Sequence, residues 1–574
     1  MSNHNRRGQS ISRRAVLRAA ALCVVSPLAT GCMGPIFRPQ SPDAALSTIE
    51  DGALDGTQLV SAVAHPYGMT FVKVENVALV TGLAGTGEDP APSPQRAALL
   101  AELNRREIAS PNEVISSPNT ALVLVRGYLR PGIQAGDHFD IEVRTPSRSD
   151  TTSLRGGWLM ETQLSEVAVL GGALRNGHDI AVCQGAILVD PSADIQNNPA
   201  LMIQGRVLNG GVATKSRQLG LILDHSHQSI RLSQMTAKAV SERFHTYVDG
   251  RRQGVATPQT DEYIELLIHP RYKNNIGRYM RVVRSIAIRE SAKQRLDRLK
   301  LLDGQLLDPV TSETAALRLE AIGGPDAIEI LKKGALASDS EVRFYAAEAL
   351  AYLDVTEAVE PLARAATDEP AYRVAAFSAL GTMEDGASSE ALAKLLGVKS
   401  AETRYGAFRA LSTMAVVDPR VRGESLNGKF RYHRLDVGGP PMVHATNSHR
   451  PEVVLFGLEH QFKLPLVLDA GPRILVNGLK GDKITVSRFG PNNPTEQRIV
   501  STNVDEVIRA VIDLGGDYPD IVQMLRKAKE TGALPSRYCE NALPELGRTP
   551  DRTDSKSDSK SDSKEGANLV ASGG

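Results

Sequence analysis

Phe71-Val72-Lys73-Val74-Glu75-Asn76-Val77-Ala78-Leu79-Val80 alternates apolar and polar residues through a run of β-formers. That period-two pattern is the mark of a strand with one buried face. The same reading applies to Ala121-Leu122-Val123-Leu124-Val125-Arg126-Gly127-Tyr128 and to Asp140-Ile141-Glu142-Val143-Arg144. Pro131-Gly132 and Gly136-Asp137 punctuate these runs as turns. A helix is predicted from Pro94 to Arg106, with Leu99, Leu100 and Leu103 on its apolar side, and a second from about Ser233 to Phe244. Residues 61–305 therefore read as a β-rich α+β body with mainly antiparallel strands.

C-terminal to this body the period changes. Arg343, Arg373 and Arg404 recur at nearly equal spacing, as do Leu350, Leu380 and Leu411, and Leu331, Leu362 and Leu392. Helices such as Glu341–Leu350 and Glu357–Ala366 pair within each unit, and Ala346, Ala347 and Ala349 are small enough for close packing. Residues 306–418 read as an all-α, HEAT-like solenoid, with a less regular first unit at about 312–336. Such repeats stack on one another and present a long face to protein partners. The arginines at one register read as buried packing residues. Strand-like runs return at Glu452–Gly457, Arg473–Gly478 and Lys483–Ser487, followed by a helix from Val504 capped by Asn503. A second helix opens near Pro519 and closes at Gly532, so 419–545 completes the body. The Ser/Lys/Asp repeats of 546–574 have the composition of a disordered tail.

The N-terminus reads as an address. Arg13 and Arg14 precede a short apolar run, Ala19 to Leu28, far short of the ~20 residues that cross a bilayer. Leu28-Ala29-Thr30-Gly31-Cys32 has the form of a lipobox. Residues 1–31 are thus expected to be an export signal, twin-arginine-like, with Cys32 acylated and 32–60 a lipidated tether rich in Pro, Gly, Ser and Asp.

The chain has 574 residues, 66 Lys+Arg against 66 Asp+Glu, one Trp and 4% aromatic residues. Balanced charge and few aromatics argue against nucleic acid as a partner. No catalytic constellation emerges. Gly82-Leu83-Ala84-Gly85-Thr86-Gly87 has the glycines of a phosphate loop, but Glu88 stands where the lysine is needed. Asp224-His225-Ser226-His227 offers two imidazoles, on one side if the segment is an extended strand, with no third metal ligand at suitable spacing. His433, His444 and His449 lack zinc-protease spacing. The reading assigns no catalytic, cofactor or metal residue. Once Cys23 leaves with the signal and Cys32 is acylated, Cys183 and Cys539 remain, one on each flank of the repeats. A disulfide between them and two buried free thiols both stay open.

Taken in order, several short motifs resemble those of the bacterial flagellar P-ring protein family. They are Gly82-Leu83-Ala84-Gly85-Thr86-Gly87-Glu88, the turn at Pro131-Gly132, Ser153-Leu154-Arg155-Gly156-Gly157, Ala181-Val182-Cys183-Gln184-Gly185 and Gly205-Arg206-Val207-Leu208-Asn209-Gly210-Gly211. The last departs from the family at Leu208, where proline is usual. The ending Leu514-Gly515-Gly516-Asp517-Tyr518-Pro519 through Gly532 also looks like the family's C-terminal segment, with Asp517 and Tyr518 replacing small residues. The resemblance implies a non-enzymatic structural subunit of the flagellar basal body. It implies a homo-oligomeric periplasmic ring, a bushing around the rod beside the outer-membrane ring. A lipid anchor, a shortened N-terminal stretch and the repeat segment are not usual in that family. The alternative is a cell-envelope lipoprotein scaffold that reuses the fold and binds an unknown protein partner through its repeats.

Overall fold

The computed structural model describes residues 57–548 apart from 171–172, 194–197, 415–417, 479–480, 491–492 and 546. Arg13, Arg14, Cys32, the tether up to residue 56 and the tail from 549 lie outside the described residues.

The alternating run that opens the body becomes strand β1 (Val72–Thr81). It is followed by β2 (Ala121–Leu129), β3 (His138–Arg144), β4 (Trp158–Leu170), β5 (Ala173–Ala186) and β6 (Gln204–Ala213). They pair antiparallel in the order β3-β2-β1-β4-β5-β6, and β3 also pairs with β6, so the sheet closes into a six-stranded barrel. The first four strands lie in Greek-key order. Alternation sorts the side chains. Val74, Ala78 and Val80 of β1 and Ala121, Val123 and Val125 of β2 point into the barrel core. Leu79 and Leu122 face outward, where the helix Pro94–Arg105 covers them with Leu99 and Leu103. Closure leaves the barrel itself without an edge strand, while the outer part of the β4–β5 hairpin, Val167–Leu170 with Ala173–Asn176, extends beyond it paired only within the hairpin.

A four-stranded antiparallel sheet (Ala64–Tyr67, Leu219–Leu223, Ala256–Pro258 and Tyr263–Leu266) stands beside the barrel, with the helices Ile230–Arg243 and Ile276–Arg284. The short strand Gln58–Leu59 pairs with Ala287–Arg289.

Next come eight helices that stack in pairs: α1 (Ala292–Leu306), α2 (Ser312–Ile322), α3 (Gly324–Ala335), α4 (Ser340–Tyr352), α5 (Val359–Asp368), α6 (Arg373–Leu380), α7 (Gly386–Leu395) and α8 (Ala401–Thr413). The regular arginines find their role here, and it is not simple packing. Arg343 donates to the carbonyls of Ala337 and Ser338, Arg373 to Ala366 and Thr367, and Arg404 to Leu396. Each caps the end of the preceding helix in the outer row, where backbone carbonyls lack partners and negative partial charge accumulates. Only Arg404 is fully buried. The other half of each turn is held by acceptors such as Asp339, which receives the N–H of Val342 at 3.0 Å, and Ser400, which receives that of Thr403 at 3.2 Å.

The C-terminal part adds a mixed sheet in the order Glu424–Leu426, Phe430–Leu435, Glu452–Phe456, Met442–Ala445, Arg537–Glu540, and a four-stranded antiparallel sheet over residues 466–501. The helices Val504–Asp513 and Tyr518–Glu530 pack into the same core as these strands. That core also takes in Leu188 and Leu208 from the barrel region. A single hydrophobic cluster runs from Val60 through the helical repeats to Phe456. Body and repeats therefore share one core.

Gly87 shows how narrow the tolerances are at the barrel end. A Cβ there would lie 1.9 Å from the carbonyl oxygen of Thr120, while Gly85, at φ +79°, faces open space. Gly87→Ala is expected to destabilise the protein by about 3 kcal/mol through forced backbone movement. Gly85→Ala should cost only about 1–2 kcal/mol, from its left-handed conformation. Denaturant unfolding of the two variants checks the ordering; equal losses would refute it.

Candidate functional site

The motif residues collect at one end of the barrel. Leu83 donates its N–H to the Asn119 carbonyl and Gly87 to that of Pro118, while Thr152 donates to the Thr86 carbonyl at 2.9 Å. The Thr86 hydroxyl reaches the Ser153 carbonyl at 2.7 Å, and Glu88 accepts from the Ser149 hydroxyl and the Asp150 N–H. The stretches holding Gly82, Gly85 and Gly87 and holding Arg155, Gly156 and Gly157 thus form one sealed rim. Arg155 reaches the Ala193 carbonyl at 2.9 Å, and Gly156 lies beside Pro472 of the C-terminal part. Gly157 sits so close to Val80 that a Cβ would come within 2.6 Å of its side chain. Gly205 and Gly210 lie on β6. Asn209, at φ 56°, donates its N–H to Asp140 Oδ1, and Asp140 Oδ2 accepts the N–H of His449 from the C-terminal part at 2.6 Å. These glycines are turn and contact residues around a filled barrel, with Glu88 used as a backbone clamp.

The solenoid is fastened to the body at two buried clusters that charge patterning alone does not reveal. The first begins with the helix Ile276–Arg284, capped by Asn275. Its Arg278, fully buried, donates to Glu320 Oε2 through Nη2 at 2.5 Å and Nε at 3.1 Å. Through Nη1 it reaches Glu348 at 2.6 Å. The Tyr272 hydroxyl donates to the second Glu320 oxygen at 2.6 Å. The guanidinium also lies 4.7 Å above the ring of Tyr352, which stacks on Tyr272 at 4.8 Å. Glu320 belongs to α2 and Glu348 to α4, so one body arginine holds two repeats. Burial pulls the Arg278 pKa down, but the two carboxylates more than offset it and hold the guanidinium above its ordinary value. Arg243 donates to the Glu320 carbonyl, and Arg271 pairs with Asp354 at 3.2 Å.

The second cluster closes the other end. Glu452, buried at the start of its strand, accepts from the Tyr405 hydroxyl of α8 at 2.9 Å and pairs with Arg450 at 2.7 Å. Tyr405 stacks on His444 at 3.6 Å, and Arg404 lies 4.7 Å above Phe456 while donating to the Pro440 carbonyl. Burial pushes the His444 pKa down to about 3, so its Nε2 remains an acceptor for the Ala542 N–H. Beyond this point Arg548 grips Glu402 of α8 with both terminal nitrogens, at 2.9 and 3.0 Å. The inner helices of the solenoid consequently face the protein's own body. The expectation that the repeats offer that long face to partners does not hold for α2, α4 and α8. A detectable signal was Glu320 itself, a lone acid in the run Ala315-Ala316-Leu317-Arg318-Leu319-Glu320-Ala321-Ile322.

The remaining candidates fall elsewhere. Residues 225–227 form a 3-10 turn rather than an extended strand, so strand alternation does not set the two imidazoles side by side. His225 Nδ1 accepts from the Gln228 amide, His227 Nδ1 shares a hydrogen bond with the Ser226 hydroxyl, and His65 pairs with Asp224 at 3.0 Å. His433 and His444 are buried strand residues. Cys183 and Cys539 are free thiols in different cores, one inside the barrel and one against the repeat core. Burial pushes the Cys183 thiol up to about 12, which leaves it unreactive. Pro519 is in the first turn of its helix, and Gly532 follows that helix at φ +76°.

The same C-terminal motif holds a buried acid. Asp520 Oδ2 accepts the Asp517 N–H at 2.8 Å, and its other oxygen occupies the space that a side chain on Gly471 would fill. Burial raises the Asp520 pKa from 3.8 to about 6.

Residues 62–296 match the sequence profile described as flagellar P-ring protein, and residues 334–412 match that of HEAT repeats. A flagellar P-ring protein of Bradyrhizobium sp. (strain BTAi1 / ATCC BAA-1182) is 24% identical over 255 residues, which is 43% of this chain and 64% of that protein. One from Agrobacterium fabrum is 36% identical over 140 residues, 23% of this chain and 35% of the relative. Flagellar P-ring protein 2 of Bradyrhizobium diazoefficiens is 27% identical over 232 residues, 37% of this chain and 59% of the relative. The chain thus spans between 35% and 64% of the length of these relatives. It carries a P-ring-like segment and a HEAT-repeat segment.

Two stability measurements probe these clusters. Glu320→Ala leaves Arg278 and Tyr272 short of their acceptor and is expected to cost about 3–5 kcal/mol in denaturant unfolding. A loss under about 1 kcal/mol would show that the cluster does not hold the solenoid. Asp520 has a folded pKa above its unfolded one, so its penalty is full above about pH 6 and disappears below about pH 4. Asp520→Asn should therefore stabilise the protein at pH 7.5, by up to roughly 3 kcal/mol, and have little effect at pH 4. Destabilisation at pH 7.5 would contradict this sign.

Proposed function

We propose that a chain whose residues 62–296 match the P-ring profile is a structural subunit of a periplasmic ring of the flagellar basal body. It is exported and then acylated at Cys32. That profile match is the observation that carries the reading, and the sealed rim formed by Gly82–Glu88 and Ser149–Gly157 supports it by giving the shared motifs a structural purpose. In this reading the role is mechanical rather than enzymatic. Copies of the chain associate laterally around the rod, beside the outer-membrane ring, and stiffness matters more than chemistry. A barrel without free edges and a solenoid fixed at both ends suit a part that must not deform under a turning load. The domains are read as export signal 1–31, tether 32–60, N-terminal body 61–305, repeats 306–418, C-terminal part 419–545 and tail 546–574, with two bounds that move in the fold: Gln58–Leu59 is already a strand and Val60 is buried, and α1 stacks with the repeats from Ala292 onward. The C-terminal part is taken to belong with the P-ring-like body on the strength of the motif from Gly515 to Gly532 and of the barrel contacts through Asp140 and Pro472.

A second reading draws on the partial coverage of the relatives and on the added repeats. It makes the chain an envelope lipoprotein scaffold outside any flagellar ring. Electron microscopy of basal bodies isolated from a strain lacking the gene separates the two. The ring reading expects basal bodies without the periplasmic ring; an intact ring leaves only the scaffold. For the anchor, Cys32→Ala is expected to abolish incorporation of an acyl label in labelled cells. Retained label would refute acylation at Cys32.

A further inference from the structure

Helix α1 is the first helix of the solenoid and has no preceding repeat to cover it. Its inner side is ordinary: Leu299, Leu302 and Leu306 are buried. Its outer side is not. Leu296 is 56% exposed and Leu301 40%, and beyond the helix Leu307 is 55% and Val310 81% exposed. Leu336, at the end of α3, is 86% exposed and lies near the C-terminal end of α1, because Gly334 touches Leu306 and Lys333 reaches Asp303 at 3.4 Å. Terminal units of repeat arrays need a polar outer face for solubility, and this one departs from that rule. The rest of the solenoid obeys it. Among the described residues no large hydrophobic side chain is exposed between Leu336 and Leu458. The outer row there carries charge pairs such as Lys332–Glu357, Arg364–Glu360 and Arg420–Glu390. Within the solenoid, apolar exposure is therefore concentrated at α1 and the ends beside it.

Two further observations name what covers it. Lys293 and Lys300 are exposed on α1 and, among the described residues, have no carboxylate partner, and Arg289 and Arg295 are exposed nearby. Against them stand Asp297, Asp303, which is engaged by Lys333, and Asp308, which accepts the Val310 N–H. Free charge on this face is thus mainly positive. The second observation is where the chain enters. Gln58 pairs with Arg289, antiparallel, so the first strand of the described chain lies close to Ser291, the cap of α1. Cys32 lies roughly 25 residues upstream, a span that reaches at most ~90 Å when extended, while α1 is only about 22 Å long.

We propose that α1 and the chain ends beside it are a second membrane contact. Leu296, Leu301, Leu307, Val310 and Leu336 enter the interfacial layer of a bilayer containing anionic phospholipid, and Lys293 and Lys300 meet its headgroups. Such an apolar and basic surface adds a contact that does not depend on the acyl chains and that strengthens with anionic lipid. The placement rests on the reading of Cys32 as the anchor; the contact itself is tested without the acyl group.

The test uses the full chain with Cys32→Ser, so that no lipid is attached, and measures co-sedimentation with vesicles of phosphatidylethanolamine and phosphatidylglycerol. Binding is expected, and it should weaken in high salt and with phosphatidylcholine vesicles. Leu307→Asp with Val310→Asp and Leu336→Asp should weaken it about tenfold or more, and Lys293→Glu with Lys300→Glu by about tenfold at low salt. All these positions are exposed, and unchanged circular dichroism confirms folding of the variants. Absence of vesicle binding, or variants that bind like the parent, overturns the proposal. So does either rival occupant. If removal of residues 41–56 uncovers the patch to a label on Leu307→Cys, the chain's own tether covers it. If the triple aspartate variant abolishes a concentration-dependent dimer, a second copy does. Failure of acylation at Cys32 would be seen separately, in the acyl-label result.

Discussion

A buried arginine shared by two repeats sets the arrangement of this protein. Arg278 comes from the last helix of the N-terminal body, yet both of its carboxylate partners, Glu320 and Glu348, lie in the solenoid. Removing a guanidinium and two carboxylates from water is costly, and the cost is offset only if every partner is in place. Tyr272 on the second Glu320 oxygen and Tyr352 beneath the guanidinium complete the set. The pairing therefore acts less as a source of stability than as a demand for one geometry. If the solenoid rotated or slid relative to the body, three charges would be left buried and unmatched.

The rest of the chain follows from that demand. With α2 and α4 turned toward Arg278, the solenoid's inner row is committed to the body along its first repeats. Tyr405 and Glu452 commit its far end to the C-terminal sheet. The repeats, elsewhere a module for outside partners, here serve as a strut between two parts of one body. Arginine capping of each preceding helix, from Arg343, Arg373 and Arg404, keeps successive units in step. What remains for the outside is the charged outer row and the uncovered face of α1.

Much of this was legible in the residues, though unevenly. Strand alternation in Phe71–Val80 and Ala121–Tyr128 marks the two strands, because burial on one side imposes a period of two. Closure of β3 on β6 left no such trace, since pairing between distant strands is a matter of topology rather than of local pattern. The spacing of the repeats was plain, and so was the recurrence of arginine. Its role was misread, because a guanidinium that caps carbonyls and one that packs in a core share the same position in a helix. The Arg278 cluster was hidden for a similar reason: charged residues on helices are usually solvated, and only the apolar neighbours of Glu320 mark it as an exception. The motif glycines stand out in the sequence one segment at a time, but their meeting at one rim needs the fold.

Native-state hydrogen exchange of the full chain, followed by mass spectrometry, tests most directly whether body and solenoid form one unit. Peptides covering Ile276–Arg284, α2 and α4 are expected to exchange with a common protection and to lose it together in Glu320→Ala. Contradiction would come from α2 and α4 opening in the parent protein while Ile276–Arg284 stays protected, for the repeats would then be an appended domain rather than part of the body.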